Sequence, residues 1–200
     1  DGHIKFLDRY DLKLKKDFYT MIKCILVKGA PASGKSTWSK LEVAKDPLNW
    51  VRINNDDLRA SFNGSVYSAD YEKLITSTRS FLINQGLKYD KSLIIDNLNV
   101  DKSHFKDICR IAAQANKDVT VYELPFYEEL DVLIQRDSLR TGTARVGAEI
   151  VTKFWKKLGG TQFKNYVPKT EVFLKRTTTA ERFVEPMIQD EQLHPCCIFD

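Results

Sequence analysis

The sequence predicts an α/β protein: a mainly parallel sheet flanked by helices, with a helical lid. Three observations lead there. Short β-branched apolar runs alternate with segments of helical period, as βαβ units do. The pattern Gly29-Ala30-Pro31-Ala32-Ser33-Gly34-Lys35-Ser36 follows the first run and opens the first helix. Acidic and Asx residues close the next two runs, at the carboxyl ends where open parallel sheets bind ligands.

The elements follow in order. Ile22, Cys24, Ile25, Leu26 and Val27 form the first buried strand. Trp38, Leu41 and Ala44 give the next helix an apolar face, and Pro47 closes the segment. Trp50–Asn54 is the second strand, ending in an Asx-rich helix start at Asn55–Arg59. Residues 69–89 form a long helix with Tyr71, Leu74, Ile75, Thr78, Leu82 and Tyr89 on its periodic face. Leu93–Asp96 is the third strand, and Phe105, Ile108, Cys109 and Ala112 mark the helix after it. Val119–Leu124 is the fourth strand, stopped by Pro125. Leu130, Leu133 and Ile134 predict a helix running to about Arg140, broken by the loop Thr141–Gly147. Ile150, Val151, Phe154, Trp155 and Leu158 define the last helix, ended by Gly159-Gly160. Short β-like runs follow at Glu171–Leu174 and Phe183–Val184.

The glycine loop sets the fold type as that of P-loop NTPases. Gly29 and Gly34 allow backbone shapes that a Cβ blocks. The loop's N–H groups then cradle phosphate, aided by the positive end of the helix. Gly29, Ala32, Ser33, Gly34, Lys35, Ser36 and Thr37 are therefore the expected nucleotide-binding residues. Lys35 brings charge to the outer phosphates, and the Ser36 hydroxyl is the expected Mg²⁺ ligand. ATP or another nucleoside triphosphate and Mg²⁺ are the implied cofactors.

Composition sets bounds. The chain has 200 residues, 42% hydrophobic and 29% charged, which fits a folded domain rather than a disordered tail. A net charge of +4 permits an anionic partner without requiring one. Cys24, Cys109, Cys196 and Cys197 form no C-x-x-C pair, so reduced thiols and a cytoplasmic location are expected. No apolar run has the length of a membrane span. Residues 1–20, charged and interleaved with aromatics, read as an N-terminal extension or remnant ahead of a domain over 21–195.

A phosphate loop implies a nucleotide, and a second group must define the reaction. Asp56 and Asp57 are candidate bases for an acceptor hydroxyl, or else helix caps. Asp56 and Arg59, three apart, share a helical face. Asp96 ends its strand as a metal-binding carboxylate would, or as a turn residue paired with Asn97. Arg136 and Arg140, four apart, with Arg145 in the loop, suit a lid closing on phosphates or a solvated basic face. Trp38, Trp50 and Trp155 read as packing residues.

Four segments together resemble the kinase domain of bacteriophage-type polynucleotide kinase-phosphatases. They are GAPASGKSTW at Gly29–Trp38, INNDDLR at Ile53–Arg59, IIDNLN at Ile94–Asn99 and QRDSLRTGTARVG at Gln135–Gly147. The resemblance runs from about Ile22 to Val151. It implies transfer of the ATP γ-phosphate to 5′-hydroxyl ends of RNA or DNA, in end healing and repair. It assigns Asp56 as general base and Arg59 to the phosphate 3′ to the acceptor nucleoside. It makes Arg140 and Arg136 lid arginines, and puts Asp96 and Val146 on the acceptor side. The chain departs from the family pattern at Asn55, where a basic residue is usual, and in an Asp96 loop shorter by a residue. Cys197-Ile198-Phe199-Asp200 resembles the opening strand of a phosphatase domain, so 196–200 is expected to begin a second domain of a longer protein. A small-molecule P-loop kinase and a non-catalytic nucleotide-binding module are the competing readings.

Overall fold

The computed structural model describes residues 21–66 and 68–176. The expectations for residues 1–20, for a strand at Phe183–Val184 and for a domain start at 196–200 lie outside these residues. Among the described residues, five strands form one sheet in the order β2-β3-β1-β4-β5. They are β1 (Ile22–Gly29), β2 (Trp50–Ile53), β3 (Ser92–Asp96), β4 (Val119–Phe126) and β5 (Thr170–Phe173). The first four are parallel, and β5 adds antiparallel to β4. The helices are α1 (Lys35–Lys45), α2 (Asn55–Asn63), α3 (Ala69–Lys88), α4 (Lys102–Gln114), α5 (Leu130–Ser138) and α6 (Ala148–Leu158).

Alternation along β1 divides the core in two. Cys24 and Leu26 face α3 and α4, where Ile83, Leu87, Ile108 and Ile111 meet Leu93 and Ile95 of β3. Ile25 and Val27 face the other way, with Ile94, toward Trp38 and Val43 of α1. β1 is flanked on both sides and covered on both faces, which is why it reads as an unbroken apolar run. Each Leu or Ile buried there contributes roughly 1.5–3 kcal/mol. With β1 central, its carboxyl end delivers the glycine loop to the middle of one sheet edge. β3 delivers Asp96 beside it, paired in register with Val27.

The helix positions agree with the sequence reading, but two faces differ. On α1, Leu41 is exposed and Ala44 lies on the outside; Ser39 is fully buried, with Trp38 and Val43 packed on the sheet. On α3, Tyr71, Leu74 and Tyr89 are exposed, and Ile75, Arg79, Ile83, Gly86 and Leu87 face inward. Both helices carry two apolar stripes, and the choice between them depends on the sheet they meet. Pro125 does not stop β4, which continues to Phe126 opposite Gly29. β5 pairs only as far as Tyr122, so Pro125 lies where one side of the strand has no ladder to break. The helix expected to reach Arg140 ends at Ser138.

Candidate active site

The glycine loop is held by its own backbone geometry. A Cβ on Gly29 would lie 2.6 Å from the Phe126 carbonyl oxygen, so only glycine fits there. Gly34 caps α1 at φ 91°, with no side chain engaging the first turn. The N–H groups of that turn therefore face the hollow of the loop, as an anion site requires. Ala32, buried, also adopts a left-handed φ of 67°. Lys35 is buried, and its Nζ donates to the Ala30 carbonyl at 2.6 Å and to Ser33 Oγ at 3.2 Å. Burial pushes its amine down to about 8; nearby Asp96 opposes the shift and Arg140 adds to it. Thr37 is exposed on the first turn of α1.

Beside the loop lies a polar chain that crosses the strand ends. Ser36 Oγ donates to Asp96 Oδ1 at 3.1 Å. Asp96 is 1% exposed, and its other oxygen, Oδ2, accepts from Arg52 Nε at 2.6 Å and lies 2.6 Å from Nη2 in an ion pair. Arg52 Nη1 reaches outward to pair with Asp57. Asn54 Nδ2 donates to the Asp96 carbonyl. Asn99 Nδ2 donates to the carbonyls of Val27 and Ile95, both at 2.8 Å, and so ties the loop after β3 to β1. Ser36 and Asp96 are hard oxygen donors side by side, which suits a Mg²⁺ that completes its shell with phosphate and water.

The α2 helix start carries the residues expected on the acceptor side. Its cap is Asn54, whose Oδ1 accepts from the Asp57 N–H at 3.0 Å. Neither Asp56 nor Asp57 is the cap, so both carboxylates are left for other partners. Asp56 is well exposed and paired with Arg59. Arg59 is also gripped by Glu72 of α3, Nε to Oε1 at 2.6 Å and Nη2 to Oε2 at 2.9 Å. Hydrogen bonding to Glu72 raises the Arg59 pKa, and the Arg59 guanidinium lowers that of Glu72.

The lid residues divide. Arg140, past the end of α5, lies within electrostatic reach of Lys35 and donates to the Ala144 carbonyl at 3.4 Å. Arg136 is still on α5, so the two arginines do not share a helical face as their spacing predicted. It is held by Glu128 at 2.9 Å. Arg145 and Val146 are exposed in the loop. That loop is fastened by Asp137, 1% exposed, whose two oxygens accept from the N–H groups of Val146 at 3.2 Å and Gly147 at 2.8 Å. The structure thus gathers Ser33, Lys35, Ser36, Asp96 and Arg140 at the glycine loop. It joins Asp56 and Arg59 to each other, next to Asp57 and its link to Arg52. Sequence reasoning missed Arg52, Glu72 and Asp137 as members of this site. Asp137 had a local signal, since it lies between Arg136 and Arg140 in the lid-like segment.

The AAA domain family model matches residues 24–158, more than half of the chain and all of the elements just described as forming the site. The chain belongs to the AAA domain family. This AAA domain is 27% identical over 154 residues to the L-seryl-tRNA(Sec) kinase of Methanococcus maripaludis, covering 74% of the chain and 58% of that relative. Among solved structures it is similar to a chain of the Pnkp1/Rnl/Hen1 RNA repair complex, at a TM-score of 0.61 and 23% identity. That match covers 84% of this chain and 53% of the other. A second structure of the Pnkp1/Rnl/Hen1 complex aligns at a TM-score of 0.54 and 23% identity, covering 82% and 50%. The chain thus spans little more than half the length of these relatives. The likeness to the solved structures is one of fold, and the fold is that of P-loop kinases.

Proposed function

We propose that this protein is a polynucleotide 5′-hydroxyl kinase, moving the γ-phosphate of ATP to the 5′-OH end of RNA or DNA. One observation carries the reading: Asp56 and Arg59 pair near the start of α2, and Asp57 beside them is linked through Arg52 and Asp96 to Ser36 of the glycine loop. A base and a cation thus share the sheet edge with the nucleotide cradle. Two likenesses agree with it, one to a kinase whose substrate is an aminoacyl-tRNA and one to the fold found in an RNA repair complex.

The roles follow from chemistry. The loop N–H groups and Lys35 bind the phosphates. Ser36, oriented by Asp96, would hold Mg²⁺, which supplies neutralisation of the phosphate oxygens. Arg59 binds the phosphodiester of the acceptor once it exchanges Glu72 for that phosphate. Asp56 accepts the proton of the 5′-hydroxyl as its oxygen forms a bond to the γ-phosphorus. The bond from that phosphorus to the β-γ bridging oxygen breaks, and ADP leaves. Arg140 closes from the lid onto the developing charge, with Arg136 joining if it releases Glu128. Val146, exposed beside Arg145, would pack against an acceptor base.

The test is radiolabelled ATP offered to 5′-OH oligonucleotides beside a panel of small alcohols and sugars. Labelled oligonucleotide is expected, and label on a small alcohol alone would replace this reading with a small-molecule kinase. Asp56→Asn should lower kcat by on the order of 10²–10⁴-fold and leave ATP affinity intact. Full turnover in that variant would remove Asp56 from the mechanism.

A further inference from the structure

We propose that Arg52 is a positioning residue for the Mg²⁺ site, setting Ser36 through Asp96. The proposal rests on the reading of Ser36 as the metal ligand, and deepens it. It begins from how the guanidinium grips. Nε of Arg52 donates to Asp96 Oδ2, and Nη2 makes its ion-pair contact with the same oxygen at 2.6 Å. A fork-to-fork pair would have used both oxygens. Here Oδ1 is left to accept from Ser36 Oγ. With its proton committed to Asp96, the Ser36 hydroxyl turns its lone pairs to the hollow of the loop, where a metal would draw on them. A carboxylate free to rotate could instead offer either oxygen, or turn to the loop N–H groups and compete with phosphate.

Arg52 is itself held. It lies on β2, in register with Ile94 of β3, on the sheet face that α1 covers. Its side chain is 13% exposed, and its remaining nitrogen is engaged by Asp57 of α2. The guanidinium is thus fixed from the inside by the buried carboxylate and from the outside by the exposed one. Arg52 also gives the Asp96 carboxyl, at 1% exposure, a cationic partner inside the fold. Losing a group that orients a metal ligand in this way typically costs about 10–100-fold in metal affinity.

The test uses the whole chain and binding rather than turnover. A fluorescent ADP analogue is titrated with Mg²⁺, and again in EDTA. Arg52→Gln should raise the Mg²⁺ concentration at half-maximal effect by about tenfold or more, with ADP binding in EDTA unchanged. Excess Mg²⁺ should restore wild-type ADP affinity, which a general loss of structure would not allow. Arg52→Lys should fall between, since an ammonium supplies the charge without the planar grip. Asp57→Asn should shift the midpoint in the same direction by less. An unchanged Mg²⁺ midpoint in folded Arg52→Gln overturns the proposal, as does an unchanged midpoint in Arg52→Lys should the glutamine variant not fold. Equal losses with Mg²⁺ and in EDTA overturn it too, by making Arg52 merely structural. Because no acceptor is present, the result stands apart from whether oligonucleotides are the substrate.

Discussion

Lys35 shows how burial prepares a residue for its ligand. Its folded pKa is about 8 against an ordinary 10.5, because burial disfavours the ammonium. The unfolded chain keeps this proton up to about 10.5 while the folded chain releases it near 8. Between those values the unfolded state binds more protons, so this residue's contribution makes stability rise with pH across that window. Below 8 both states hold the proton and the full cost of burying the charge is present. Bound triphosphate reverses the preference. Above pH 8, nucleotide binding should therefore take up a proton, seen as a heat that varies with the ionisation enthalpy of the buffer. Lys35→Met should abolish that uptake. The loop and the helix it opens were legible in the sequence because spacing alone defines them. Arg52 and Glu72 were not, because their partners Asp96 and Arg59 lie 44 and 13 positions away, across strand or helix. Asp137 was overlooked for another reason: its partners are backbone N–H groups, which leave no mark in the side-chain pattern.

Elements were read well in position and less well in orientation. Each strand and α-helix of the described residues overlaps the segment where alternation or period placed it, while the short 3-10 helices Gly142–Ala144 and Gly160–Asn165 were not foreseen. The faces of α1 and α3 were misjudged because each has aromatic or aliphatic residues on two sides, and only the sheet decides. Two predictions belong here. Gly29→Ala forces a methyl against the Phe126 carbonyl at the join of β1 and the loop. It should cost roughly 1–3 kcal/mol in urea denaturation and weaken nucleotide binding as well. Asp137→Ala frees the N–H groups of Val146 and Gly147, removing the stitch that bends the segment between α5 and α6. About 1.5–3 kcal/mol of stability should be lost with these part-buried hydrogen bonds to a carboxylate. Phosphate transfer should fall further than that, since Arg140 depends on the same bend, and comparing kcat with the melting curve separates the two effects.

Across the whole molecule, one buried ion pair joins the site's floor to the last strand. Lys28, next to Gly29, bonds Glu123 of β4 at 3.1 Å, both side chains being 6% exposed or less. Glu123 also accepts from Tyr166 Oη and, at 3.2 Å, from the Lys169 N–H just before β5. Its carboxylate and burial together push the Tyr166 phenol well above its usual range. Lys28→Met leaves that carboxylate buried without its cation and should cost about 3–5 kcal/mol, read by urea denaturation. Lys28→Met with Glu123→Leu should recover much of the loss. The parallel order of the sheet follows from the alternation of elements, but this pair does not, because Lys28 and Glu123 lie 95 positions apart in the chain.

The lysine of the glycine loop is already latched to the Ala30 carbonyl. An arriving triphosphate thus trades places with an existing partner instead of freezing a slack strand. The receptor is cast before its guest arrives, and little ordering remains to oppose their union.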